Sequence, residues 1–137
     1  SVLRAALATD GVAVTGVFTR PRDPGSDDPV RNLVANLAES SGVPVYAPKA
    51  SAGKDGASLL TMLAPDVLLS AAHPTLLSPE FLAVPRLGAL NLHGSLLPLH
   101  RGTSPVNWAL IRDEHETGLT MHYEHHGMDK GDLVFQE

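Results

Sequence analysis

The sequence has no cysteine among its 137 residues, which excludes disulfides, thiolate metal sites and a cysteine nucleophile. Basic charge is also short. Ten Lys and Arg face fifteen Asp and Glu, for a formal net charge of -5, and this speaks against a phosphate-dominated nucleic-acid surface. No apolar run approaches the length that crosses a membrane. Gly-x-Gly-x-x-Gly and Gly-x-x-x-x-Gly-Lys-Ser/Thr are both missing, so neither a dinucleotide nor a P-loop fingerprint is available. There is no internal repeat, and Ser1 is preceded by neither an initiator Met nor a signal peptide. With the last residues falling in the apolar run Leu133-Val134-Phe135, the chain is expected to be cut at both ends. What remains is 43% hydrophobic and 18% charged, as expected of one soluble globular domain at most.

The chain alternates short helices and strands. Val2, Leu3, Ala6 and Leu7 predict a helix over Ser1 to Thr9, ended by Asp10-Gly11, and the β-branched stretch Val12 to Thr19 predicts a buried strand. Residues 20–27 are rich in Pro, Gly and Asp and read as a loop, with Arg20 and Arg22 exposed to solvent or to an anion. Asp28 as cap and Pro29 in the first turn open a helix whose stripe is Val30, Leu33, Val34, Leu37 and Ala38. Gly42 ends it, and a short strand at Val43 to Tyr46 follows. A small-residue loop is expected over Ala50 to Gly56, then a helix at Leu59 to Leu63 and a strand at Val67 to Ser70. Ser78-Pro79-Glu80 starts a further turn of helix, and a strand leads to His93. Ser104-Pro105 opens a helix to Arg112, with Trp108 and Ile111 on the expected core face. Strands are expected over Thr117 to Tyr123 and Asp132 to Gln136. Such alternation implies an α/β fold with a mostly parallel sheet and helices on both faces.

The stretch Asn91-Leu92-His93-Gly94-Ser95-Leu96-Leu97-Pro98-Leu99-His100-Arg101-Gly102 concentrates the chemistry. Side chains alternate along a strand, so Asn91 and His93 share a face at its carboxyl end, where open α/β sheets bind ligands. The best carboxylate partner is Asp129, in Gly127-Met128-Asp129-Lys130-Gly131-Asp132, because parallel strands would bring the two carboxyl-end loops together. An amide donates to a developing oxyanion, and a carboxylate orients an imidazole and raises its proton affinity. These groups suit acyl transfer to an amine without a covalent intermediate. Two other sets compete: His122, His125, His126, Asp129 and Asp132 as a metal cluster, and Ser95 as a nucleophile. The first has no helical His-x-x-x-His spacing and the second no Gly-x-Ser-x-Gly elbow.

Asn91 to Pro98 with Arg101-Gly102, Pro105 and Trp108, then Glu116-Thr117-Gly118-Leu119-Thr120, then Gly127 to Asp132, resembles the formyltransferase domain of methionyl-tRNA formyltransferase and its relatives, the amino-sugar N-formyltransferases and glycinamide ribonucleotide transformylases. The resemblance spans all 137 residues in order. It implies a Rossmann-like formyltransferase fold, a cytoplasmic enzyme of one-carbon metabolism, and 10-formyltetrahydrofolate as donor, with no metal. It places Asn91, His93 and Asp129 in catalysis, the first two stabilising a tetrahedral oxyanion and Asp129 positioning His93 and moving the amine proton. It sets the folate among Ala71, Ala72, Leu77, His125 and Gly127, with Leu96, Leu97 and Pro98 as an apolar wall. The partners it implies are the folate donor and an amine acceptor, an amino sugar or an aminoacyl-tRNA, with no membrane. The family's first strand would precede Ser1, and a C-terminal domain that binds the acceptor would lie outside residues 1–137. His73-Pro74 stands where relatives often carry an aromatic residue or Gly, and residues 20–27 lack the basic run of the tRNA-acting branch. Val43 to Pro48 and Pro105 to Trp108 look more like the amino-sugar branch. The rival readings are a formyltetrahydrofolate or metal-dependent hydrolase and a non-catalytic folate-binding module.

Overall fold

The computed structural model describes residues 1–20, 22–26, 32–51, 53–125 and 127–137. Helix α1 (Val2–Leu7) starts at Ser1, whose hydroxyl accepts from the Arg4 amide. Strand β1 (Val17–Phe18) pairs in parallel with β2 (Val45–Tyr46), and α2 (Leu33–Ser40) connects them. A 3₁₀ turn at Pro48–Ser51 leads to α3 (Gly53–Leu63) and then to β3 (Leu68–Ala71). The single-turn helix α4 (Pro79–Leu82) is capped by the Ser78 hydroxyl, which accepts from the Phe81 amide. Strand β4 (Ala89–His93), helix α5 (Pro105–Ile111), β5 (Thr120–Tyr123) and β6 (Leu133–Gln136) complete the chain. Among the described residues, no helix is long and apolar enough to cross a membrane.

The α/β alternation gives parallel pairing for β1–β2 and β3–β4, but the direction reverses after β4. The four-stranded sheet runs β3-β4-β5-β6, and β5 and β6 are antiparallel to their neighbours. The reason is local. Thr120, opposite His93 in the ladder, is tied through its hydroxyl to Ser95 and Leu97, so the chain re-enters the sheet at the end it left. No crossover is made there, and antiparallel pairing follows.

Several local expectations change in the structure. Of the strand expected over Val12 to Thr19, only Val17–Phe18 is paired. A cavity of about 770 Å³ lies between β1 and β3, lined by Val14, Val17, Leu60, Leu68 and Leu69 among others, so the earlier residues have no ladder to join. The loop expected over residues 50–56 is the 3₁₀ turn and the first turn of α3. A Cβ at Gly56 would strike the Ala50 carbonyl, so glycine lets these two elements touch. Asp28, Pro29 and Val30 lie outside the described residues. Helix α2 starts after Asn32, whose side chain bonds the Asp23 backbone instead of capping it, and the buried residues are Ala35 and Ala38 while Leu33 is exposed. Trp108 and Ile111 are 48% and 70% exposed. Helix α5 packs on the small Ala109 and turns its bulky residues outward. Phe81 is fully buried and meets Phe18 edge-on at 5.2 Å between ring centroids, which joins α4 to β1.

Candidate active site

The site is laid across the face of three strands. Ser70, Asn91 and His122 occupy one row, β3 to β4 to β5, and Thr120 lies opposite His93 in the next row on that face. Because β5 runs against β4, the chain after Tyr123 leaves at the start of β4, where the Glu124 amide bonds the Ala89 carbonyl at 2.8 Å. Asp129 therefore does not reach His93 as a neighbouring carboxyl-end loop. Residues 124–132 fold back over the sheet face and deliver it from above. Gly131 permits that fold, since a Cβ there would run into the Tyr123 carbonyl oxygen.

Asp129 is the centre of the cluster. Its Oδ2 accepts from the Gly102 amide at 2.7 Å. Its Oδ1 accepts from Asn91 Nδ2 at 3.3 Å and lies 3.6 Å from His93 Nδ1 and 3.5 Å from His122 Nε2. The side chains of His93, His122 and Asp129 are 7%, 2% and 9% exposed, so water screens these contacts little.

The hydrogen bonds assign the tautomers. His93 Nε2 lies 2.8 Å from the His100 carbonyl, and His122 Nδ1 lies 2.8 Å from the Tyr123 carbonyl. A carbonyl only accepts, so both nitrogens carry hydrogen. In neutral rings His93 Nδ1 and His122 Nε2 are then acceptors, and both face the Asp129 carboxylate. Asn91 Nδ2 lies 3.2 Å from His122 Nε2, so its two hydrogens serve His122 and Asp129. A proton on either imidazole turns a contact between two acceptors into an ion pair. The cluster is thus built to receive one proton, with Asn91 as the neighbouring N–H donor.

The loop after β4 is held by its own hydrogen bonds. The Ser95 hydroxyl donates to the Leu99 carbonyl at 2.7 Å, and His100 Nε2 meets Glu114 Oε2 at 2.7 Å. Ser95 is fully buried and serves this turn; it is not placed as a nucleophile. The Leu97–Pro98 peptide is cis.

The expected trio Asn91, His93 and Asp129 is brought together. The residues expected around folate are dispersed. Ala71 and Leu77 line the larger cavity, and His125 lines a smaller one beside Tyr123. Ala72 and Gly127 have positive φ values. Leu97 is buried in the core, its amide on Thr120 and its carbonyl on Gln136, while Pro98 is exposed. His122 and Gly102 join the site although sequence reading gave them no role in this chemistry. His122 was grouped with a metal cluster because a register cannot be read from one strand alone. Among the described residues, no group of three or more His, Asp and Glu side chains is arranged to hold a metal ion.

A family model described as formyl transferase matches residues 3–137. Methionyl-tRNA formyltransferase of Pelotomaculum thermopropionicum is 36% identical over 135 residues, which are 96% of this chain and 43% of that protein. The chain thus spans less than half the length of this curated relative. The crystal structure of phosphoribosylglycinamide formyltransferase from Bacillus halodurans superposes with a TM-score of 0.75 at 27% identity, covering 93% of this chain and 65% of that one. The formyltransferase PseJ from Anoxybacillus kamchatkensis, solved with a UDP-linked formamido sugar and tetrahydrofolate, shares the fold at a TM-score of 0.58 and 24% identity, over 89% and 59% of the two chains. With its Rossmann-like α/β fold and a family match running almost from end to end, the chain belongs to the formyl transferase family.

Proposed function

We propose that the protein transfers a formyl group from 10-formyltetrahydrofolate to a primary amine, either methionyl-tRNA or a nucleotide-linked amino sugar. In this reading residues 1–137 are part of a formyltransferase catalytic domain, and a separate C-terminal domain binds the acceptor. The observation that carries it is the convergence of the Asn91 amide, the His93 imidazole and the Asp129 carboxylate on one buried point in a chain of this family. Identity to methionyl-tRNA formyltransferases favours a charged tRNA acceptor. The motif Val43 to Pro48 favours an amino sugar. The cavity between β1 and β3 has the place and the apolar lining for a further strand ahead of Ser1.

The folate supplies the formyl carbon, and the side chains do the rest. Asn91 Nδ2 donates toward the negative charge that grows on the formyl oxygen as the amine attacks. The proton leaving the amine enters the Asp129–His93 pair, where Asp129 Oδ1 faces an unprotonated His93 Nδ1. His122 positions Asn91 by accepting from its amide. His122→Leu is expected to lower kcat about tenfold with little change in the KM of the donor. His122→Gln, whose side-chain oxygen can accept at the same place, is expected to keep more of the rate. Equal losses in both variants, or a loss confined to KM, would count against this role.

Release of tetrahydrofolate from 10-formyltetrahydrofolate tests the reaction. The full-length protein is assayed with methionyl-tRNA, with nucleotide-linked amino sugars, with glycinamide ribonucleotide and in buffer alone. Turnover that needs one amine identifies the acceptor. Turnover in buffer alone assigns hydrolysis, and folate binding without turnover overturns the transferase reading. Residues 1–137 by themselves are expected to bind the donor more weakly than the full-length protein.

A further inference from the structure

The smaller cavity, on the loop that carries Asp129, is apolar except at one wall. Its volume is about 280 Å³, and it is lined by Pro79, Leu82, Ala83, Ala89, Tyr123 and Glu124 among others. Glu124 follows β5 with the same side-chain phase as His122, on the face that holds Ser70 and Asn91. The Ser70 hydroxyl hydrogen-bonds its carboxyl group. Its Oε2 is buried and has no hydrogen-bond partner among the described residues. Burial pushes the Glu124 carboxyl above the usual carboxylate range, the Ser70 bond opposes this, and the charge of Asp129 adds to it. A buried acceptor left without a donor destabilises the fold, so one that persists beside a cavity calls for a donor from outside the chain.

Resting on the formyltransferase reading, we infer that Glu124 is the specificity residue for the pterin ring of the donor, accepting hydrogen bonds from its ring N–H and the adjacent exocyclic amino group. Two neighbouring N–H donors match the two oxygens of a carboxylate, a pairing stronger and more directional than a single neutral bond. The last torsion of a glutamate is broad, so a small rotation turns Oε2 toward the cavity. The aliphatic walls suit the faces of a flat bicycle. Small-molecule sites start at about 300 Å³, so this space takes the ring and leaves the rest of the donor outside. A ring held at Glu124 lies on the same loop as Asp129, with the remainder of the donor free to run toward the Asn91–His93–Asp129 cluster.

The test uses the full-length protein with two donors, 10-formyltetrahydrofolate and its analogue bearing a methyl group in place of the 2-amino group. The unmodified protein is expected to show a KM for the natural donor at least tenfold below that for the analogue. Glu124→Leu is expected to raise the KM of the natural donor roughly tenfold to a hundredfold, to leave kcat within about threefold, and to abolish the discrimination between donors. Glu124→Gln keeps one acceptor oxygen and a polar partner for Ser70, and is expected to fall between the two. It also serves as the measured variant if Glu124→Leu fails to fold. Discrimination that survives in these variants overturns the assignment of Glu124 and leaves the transferase reading standing. Failure of the folded, unmodified protein to bind either donor removes that reading and this inference with it.

Discussion

In the full-length protein, Asp129→Asn lowers formyl transfer by roughly 10³-fold while the melting temperature stays within about 3 °C. The two halves of this expectation come from the same geometry. The Asn side chain has the shape of Asp, and its oxygen can still accept from the Gly102 amide. Its NH₂ group would face His93 Nδ1 and His122 Nε2, the two nitrogens that the tautomer assignment leaves as acceptors. The cluster therefore remains satisfied and the fold is preserved. An amide cannot take up the proton that leaves the amine, and it removes the negative charge that would stabilise a protonated imidazole. Measuring kcat alongside thermal unfolding separates the outcomes. Unfolding in step with the lost activity would make Asp129 a structural residue. Full activity would remove it from the chemistry.

Thr120→Val costs about 3 kcal/mol of folding stability, which corresponds to a fall of about 10 °C in melting temperature for a chain of this size. Valine nearly matches threonine in volume, so packing is not what changes. The Thr120 hydroxyl donates to the Ser95 carbonyl at 2.6 Å and accepts from the Leu97 amide at 3.1 Å and from Gln136 Nε2 at 2.8 Å. It is fully buried, so no water replaces these bonds. Gln136 keeps its bond to the Leu97 carbonyl, while the Leu97 amide and the Ser95 carbonyl lose the hydroxyl as partner. The same hydroxyl pins the loop after β4 to the start of β5, so this substitution is also expected to loosen the loop that delivers the Gly102 amide to Asp129. Differential scanning calorimetry reads the first effect. A melting temperature within about 2 °C of the parent would show that the hydroxyl network contributes little.

Much of the secondary structure was legible in the residues. Ser78-Pro79 marked the start of α4, Ser104-Pro105 preceded α5, and the apolar run into Asn91-Leu92-His93 was a strand. These signals are local: a cap, a proline with no N–H to lose, an alternation of period two. The misreadings were of another kind. Trp108 and Ile111 have apolar side chains at helical spacing, and that pattern alone cannot say whether the neighbouring surface is present to cover them. Val12 to Thr19 has strand composition, but a strand needs a partner on the page of the sheet, and most of this one faces a cavity. Gly53 and Gly56 looked like loop formers, while in the fold one starts α3 with a positive φ and the other lets it touch the preceding turn.

The sequence by itself determined the membership and the chemistry: an Asn and a His two residues apart on one strand, and an Asp far downstream between glycines, are a set of groups whose functions do not depend on how they meet. Only the tertiary structure decided the manner of meeting. It reversed β5, sent residues 124–132 back across the sheet face, set His122 against Asn91, and left Glu124 with a buried oxygen beside an apolar cavity. Strand direction and loop trajectory are set by contacts between segments distant in the chain, here the Thr120 hydroxyl on Ser95 and the Gly102 amide on Asp129. Such contacts leave no periodicity in the sequence, because each is a single hydrogen bond between residues whose neighbours along the chain have no part in it.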